Sequence, residues 1–124
     1  MVKLYSLSYG PSTRYLTQIR LGLSKLNLHL FTHGIIPDPS CPSCPNSEKE
    51  TPMHYFLQCP AYAALRGEML RGLQDLLAPE SRSNNKILLK AIIFGIENAT
   101  PDINKSIFRI VSLYINETKR FIKL

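Results

Sequence analysis

The chain gathers its only three cysteines between Cys41 and Cys59, with one histidine among them: Cys41-x-x-Cys44, nine residues, His54, four residues, Cys59. Two thiolates two residues apart can grip one ion from a tight turn. A histidine one turn into a following helix can swing its imidazole to the same point. Cys59 lies five positions beyond His54, about 140° round a straight helix, so it must bind from the helix end or just past it. Three thiolates and an imidazole suit tetrahedral Zn²⁺ with no open coordination position. Such a closed site is structural, because no bound water remains for hydrolysis. Two other readings stand beside it: Cys41 and Cys44 as a redox pair, or unliganded thiols with His54 an ordinary core residue. The redox reading lacks a surrounding βαβ pattern.

The elements that must position these ligands are helical. Leu16, Ile19, Leu23, Leu26 and Leu30 recur at steps of three and four, the stripe of an amphipathic helix. Gly22 interrupts it and Ser24 is placed to cap a second segment, so one kinked helix or two short ones are expected, stopping near Gly34. Pro37, Pro39, Pro42 and Pro45 make the next stretch irregular. Thr51-Pro52 reads as a helix start. Pro60 restarts the pattern, with Tyr62, Leu65, Met69, Leu73 and Leu76 on one face. The stretch 78–85 reads as a loop and 86–96 as a buried helix.

A second Thr-Pro start, Thr100-Pro101, opens the clearest helix, with Asp102 favourable in its first turn. Ile103, Ile107, Ile110, Val111, Tyr114, Thr118 and Phe121 fall on one side of it. Lys105, Arg109, Ser112, Asn116, Arg120 and Lys123 fall on the other. No alternating strand pattern is found. The expectation is a small all-α domain with an irregular Pro-rich zinc-binding loop between N-terminal and C-terminal helices. It is one domain over 1–124: basic helices in 1–34, the metal module in 35–60, and a helical part in 61–124.

At 124 residues the chain can bury a core, but a metal can still contribute substantially to its stability. Its formal charge of +6 is unevenly spread. Lys3, Arg14, Arg20 and Lys25 meet no acid in the first 34 residues, and Lys105, Arg109, Lys119, Arg120 and Lys123 meet only Glu117 at the other end. Basic ends around a neutral middle favour a polyanion partner, although a merely solvated basic surface has the same composition. The start lacks the apolar run of a signal peptide, and the most apolar window, 87–96, contains Lys90 and is too short to cross a bilayer. An odd cysteine count without an export signal points to a reducing, intracellular compartment, cytoplasm or nucleus. There the glycosylation-type triplets at Asn98 and Asn116 are idle, and no membrane or small-molecule partner is expected.

The stretch His54-Tyr-Phe-Leu-Gln-Cys-Pro-Ala-Tyr-Ala-Ala-Leu-Arg66 resembles the signature that ends in Cys-Pro-x-Tyr-x-x-x-Arg in the zinc-binding region of non-LTR (LINE-type) retrotransposon reverse transcriptases. Upstream, Arg20, Gly22, Leu26, Asn27 and Leu30 are similar to that family's Arg-x-Gly…Leu-Asn-x-x-Leu segment, with Leu23 where a histidine often stands. The resemblance implies a region beyond the polymerase, bound to the parent enzyme's other domains, whose CCHC zinc site helps bind RNA or DNA. It assigns Cys41, Cys44, His54 and Cys59 as ligands, with Pro60, Tyr62 and Arg66 as structural companions of the last. No Tyr-x-Asp-Asp motif is present, so polymerase activity is not implied and the region is not expected to be catalytic. A zinc-stabilised protein-interaction or scaffolding module is the alternative.

For nucleic acid, Arg14, Arg20, Lys25, Lys105, Arg109, Arg120 and Lys123 are the expected phosphate contacts. Tyr5 and Tyr9 are placed to stack on bases, while Tyr15 is expected in the core. Asp102, Glu117 and Lys119 superficially match a Mg²⁺-dependent endonuclease, a minor alternative. On one helix, however, the two acids would stand about 22 Å apart.

Overall fold

Glycines in the left-handed region punctuate the first third of the chain. Helix α1 (Pro11–Arg20) ends where Gly22, at φ 71°, donates to the Ile19 carbonyl and Leu23 donates to that of Gln18. Helix α2 (Asn27–Thr32) ends the same way: Gly34, at φ 73°, bonds to Phe31, and Ile35 bonds to Leu30. Both are Schellman closures, which need a residue tolerant of positive φ at the turn. The continuous stripe is thereby cut into two short helices, and Leu23 falls on the exposed turn instead of the core.

The computed structural model describes residues 11–44, 47–97 and 99–121. After α2, a loop leads to a π-helical turn, His54–Gln58, and a 3₁₀ turn, Pro60–Tyr62, followed by α3 (Ala63–Leu73), α4 (Pro79–Ser83), α5 (Asn85–Phe94) and α6 (Pro101–Thr118). No strand occurs among the described residues; the one antiparallel bridge joins Ser40 and Lys49. The domain is all-α.

The helix starts follow side-chain chemistry. Asn84 Oδ1 accepts from the N–H groups of Lys86 and Ile87 to open α5, and Thr100 Oγ1 accepts from Ile103 to open α6. Two boundaries differ from expectation. Pro79 at the first helical position and Glu80 in the first turn nucleate α4 inside the stretch read as loop. Gly95, at φ 82°, stops α5 before residue 96.

Helix α6 is the central element and packs against α1, α3 and α5. Leu16 and Ile19 of α1, Met69 and Leu73 of α3, Leu88 and Ile92 of α5, and Ile107, Val111 and Ile115 of α6 form the aliphatic core. Each such side chain stabilises by about 1.5–3 kcal/mol when fully buried. Because α6 has neighbours on several sides, its buried surface is wider than one stripe: Phe108 and Ser112 are inside as well. Ser112, expected on the polar face, is therefore a core residue.

Candidate metal centre

The loop that carries the first two cysteines is held by main-chain bonds. Cys41 N–H donates to the Glu48 carbonyl at 2.7 Å, and Glu50 N–H donates to that of Pro39 at 2.8 Å. Asp38 Oδ1 accepts from both the amide and the hydroxyl of Ser40, and those bonds, the hydroxyl's first, hold its carboxyl below the usual range. Ser47 turns the chain back at φ 55°.

Thr51 builds the second half. Its Oγ1 accepts from the His54 N–H at 2.9 Å, while Pro52 takes the position where a missing N–H is harmless. The helix then widens into a π turn, closed by a 2.7 Å bond from the Cys59 N–H to the His54 carbonyl. Cys59 itself is extended, at φ −65° and ψ 121°, so it leaves the turn at its end, where the spacing required. That i→i+5 bond ties Cys59 to the residue five before it and replaces the 140° offset of a regular helix. The Arg66 guanidinium donates to the Cys59 and Phe56 carbonyls, and Tyr62 Oη meets Ser43 Oγ at 3.1 Å. Arg66 and Tyr62 thus brace Cys59 and the Cys41–Cys44 turn against each other.

One ligand atom from each of Cys41, His54 and Cys59 lies within 4.8 Å of the others, and all three residues are buried. The sulfurs of Cys41 and Cys59 are 3.8 Å apart. That is far longer than a disulfide, about 2.05 Å. It matches the separation of about 3.8 Å that two thiolates adopt on one tetrahedral zinc with Zn–S bonds of about 2.3 Å. Both ring nitrogens of His54 are buried without a hydrogen bond. Glu48 Oε2 lies 3.4 Å from Nδ1, within ion-pair reach but not aligned as a hydrogen bond. Leaving a buried polar atom unsatisfied costs about 1–3 kcal/mol, which a bound cation would relieve. The donor set and its spacing fit zinc. Cys44 is also buried and stands three residues beyond Cys41, but its sulfur is not within the group of three. The fold therefore brings together three of the four expected ligands.

Glu50, missed in the sequence, is fully buried beside this group. Arg120 grips it through two bonds, Nε to Oε2 at 2.7 Å and Nη2 to Oε1 at 2.6 Å. Arg120 also donates to the Lys25 carbonyl and Asn27 Oδ1. Glu50 Oε1 accepts from the Asn27 N–H at 2.7 Å and its carbonyl from Leu28, so Glu50 caps α2 from far along the chain. Ser24, expected to cap α2, instead accepts from Leu26 and pairs with His29 Nδ1 at 2.6 Å. Burial opposes the Arg120 cation, but the Glu50 hydrogen bonds and charge outweigh it and raise its pKa. Burial also pushes the Cys41 thiol up to about 11, with the nearby Cys59 thiol and Glu50 carboxylate adding to the rise. Metal binding at such thiols must release protons.

The expected phosphate contacts divide by position. Arg14, Lys25, Lys105 and Arg109 are exposed. Arg20 is not presented to solvent in the same way: its Nε donates to the Ile93 carbonyl and its guanidinium lies 4.7 Å over the Phe108 ring. Arg120, placed on the polar face by helical periodicity, lies past the end of α6, where Lys119 takes a left-handed conformation and turns the chain inward. Both arginines serve the fold. Lys123, Tyr5 and Tyr9 lie outside the described residues, and Tyr15 is half-buried and stacked on Phe121 at 5.1 Å. His33 is exposed and bonds to the Gly22 carbonyl, remote in role from the ligands. Asp102 and Glu117 stand at opposite ends of α6 and do not converge.

Among the described residues, no helix is long and apolar enough to cross a membrane. No family model, curated protein or solved structure matches the chain.

Proposed function

We propose that this chain is a zinc-stabilised, non-catalytic nucleic-acid-binding region that accompanies the polymerase of a LINE-type reverse transcriptase. The observation that carries the reading is the convergence of Cys41, His54 and Cys59, with two sulfurs at a tetrahedral-zinc spacing. Cys44, buried on the same turn, is proposed as the fourth ligand. The metal would hold the Pro-rich loop against α3 and α6 and so fix the relative position of the two basic parts of the chain. A reducing intracellular compartment suits ligand thiols.

The residues proposed to meet phosphates are Arg14, Lys25, Lys105 and Arg109, together with Lys123. Gel-shift titration of the zinc-loaded chain over a range of salt concentrations tests this. Four or five phosphate contacts give a log–log salt slope of about −4 on duplex DNA, and a shallower slope on single strands. Sequence preference is expected to be small, because phosphate contacts carry no base information. A second reading, a protein-interaction module docking on the parent polymerase, is favoured by the exposed Leu21, Leu23, Phe31 and Ile35 around the α1–α2 turn and the end of α2. Absence of binding at low salt supports that reading and contradicts the first.

A further inference from the structure

We infer that Glu48 is a positioning residue of the metal centre: its carboxylate accepts a hydrogen bond from His54 Nδ1–H, which leaves Nε2 as the metal-binding nitrogen. The inference rests on the zinc reading above. A neutral imidazole has one protonated and one lone-pair nitrogen, and a metal needs the lone pair. Glu48 Oε2 stands 3.4 Å from Nδ1, and a modest rotation of its half-exposed carboxylate turns that approach into a hydrogen bond from Nδ1–H. The other nearby acid does not face the ring: Glu50 directs both carboxylate oxygens to Arg120, Oε1 also to the Asn27 N–H, and Oε2 also meets the Cys41 sulfur at 4.0 Å.

Glu48 also reaches the site by its main chain. Its carbonyl accepts the Cys41 N–H at 2.7 Å, so one residue fixes the rung that presents a sulfur and faces the ring that presents a nitrogen. A carboxylate on the outer nitrogen of a ligating histidine fixes ring orientation and raises its basicity, and its loss typically lowers metal affinity 10–100-fold. The Glu48 side chain is 53% exposed, so water competes for the hydrogen bond and the lower end of that range is expected.

The test uses the full chain in two measurements. Long-range ¹H–¹⁵N NMR of zinc-loaded protein identifies the His54 tautomer without any substitution. Competition against a chelator of known affinity then compares wild type, Glu48→Ala and Glu48→Gln. The expected result is zinc on Nε2 with Nδ1 protonated. Affinity should fall about tenfold in E48A and be largely recovered in E48Q, whose amide oxygen still accepts a hydrogen bond from Nδ1–H. Zinc bound through Nδ1, or an unchanged affinity in E48A, overturns the role of Glu48 while leaving the zinc site standing. A wild-type chain that binds no zinc overturns both.

Discussion

The aliphatic core and the ligand loop share α6 but are held by different forces. Around Ile92, Ile107 and Val111, packing is non-directional, and many residues contribute similar amounts. At the other end of α6, each contact is directional. Tyr114 Oη donates to the Tyr55 carbonyl at 2.6 Å, Tyr55 Oη meets Thr118 Oγ1 at 2.7 Å, and Arg120 holds Glu50. The rings of Tyr55, Phe56, Tyr62, Tyr114 and Phe121 meet at centroid separations of 4.9–6.4 Å, mostly edge to face. The lesson is one of tolerance. The core can lose a methyl group and relax, whereas the region around Cys41, His54 and Cys59 depends on a few charged and aromatic groups with specific partners, such as Arg120 on Glu50 and Tyr114 on the Tyr55 carbonyl.

The sharpest way to break this comparison is to withdraw the proposed zinc. Structural zinc contributes on the order of 10 kcal/mol in small modules. Complete chelation should therefore open residues 38–59 to proteolysis and lower the melting temperature strongly, with the helices of the aliphatic core retaining more protection. Unchanged helicity, melting and cleavage after chelation would remove the metal from the account.

A smaller effect separates directional from non-directional support. Arg120→Ala leaves Glu50 buried without its partner and should cost about 3–5 kcal/mol in urea unfolding. The same substitution removes the group that braces the α2 start, so amide exchange at Asn27 and Leu28 should accelerate. A loss below 1 kcal/mol would place Arg120 among ordinary surface cations.

The smallest expected effect concerns pH. Burial first, then the charge of His33, lowers the His29 pKa below its ordinary 6.5. The folded state therefore disfavours the imidazolium, and the unfolded chain binds the proton more readily. Stability from this group is present above pH 6.5 and is lost as pH falls through the lowered folded value. The stability difference between wild type and His29→Gln should shrink across that interval; a pH-independent difference would contradict the assignment.

Much of the helical frame was legible because its determinants are local. The two Thr-Pro starts, the Gly34 stop and the stripes of α3 and α6 all follow from spacing and capping chemistry within a few residues. The approach of Cys41, His54 and Cys59 follows the expected spacing, with Cys59 leaving at a helix end, whereas the Cys44 sulfur stays outside the group. The π turn was not, since nothing in His54–Gln58 distinguishes an i→i+5 bond from a regular helix before the turn is packed. Glu50 was hidden among charges that read as solvated, because its partner Arg120 is 70 residues away. Arg120 escapes the periodicity because it lies beyond the end of α6, and Arg20 because its partners, the Ile93 carbonyl and the Phe108 ring, are far along the chain. The wide burial of α6, including Ser112, likewise depends on how many helices surround it.

Native mass spectrometry of the full chain, with and without a strong chelator, addresses the central claim most directly. The account predicts one zinc per chain, lost on chelation and lost in Cys59→Ser. A chain that carries no zinc when purified and refolded in its presence, with Cys41 and Cys59 both reduced, would contradict it.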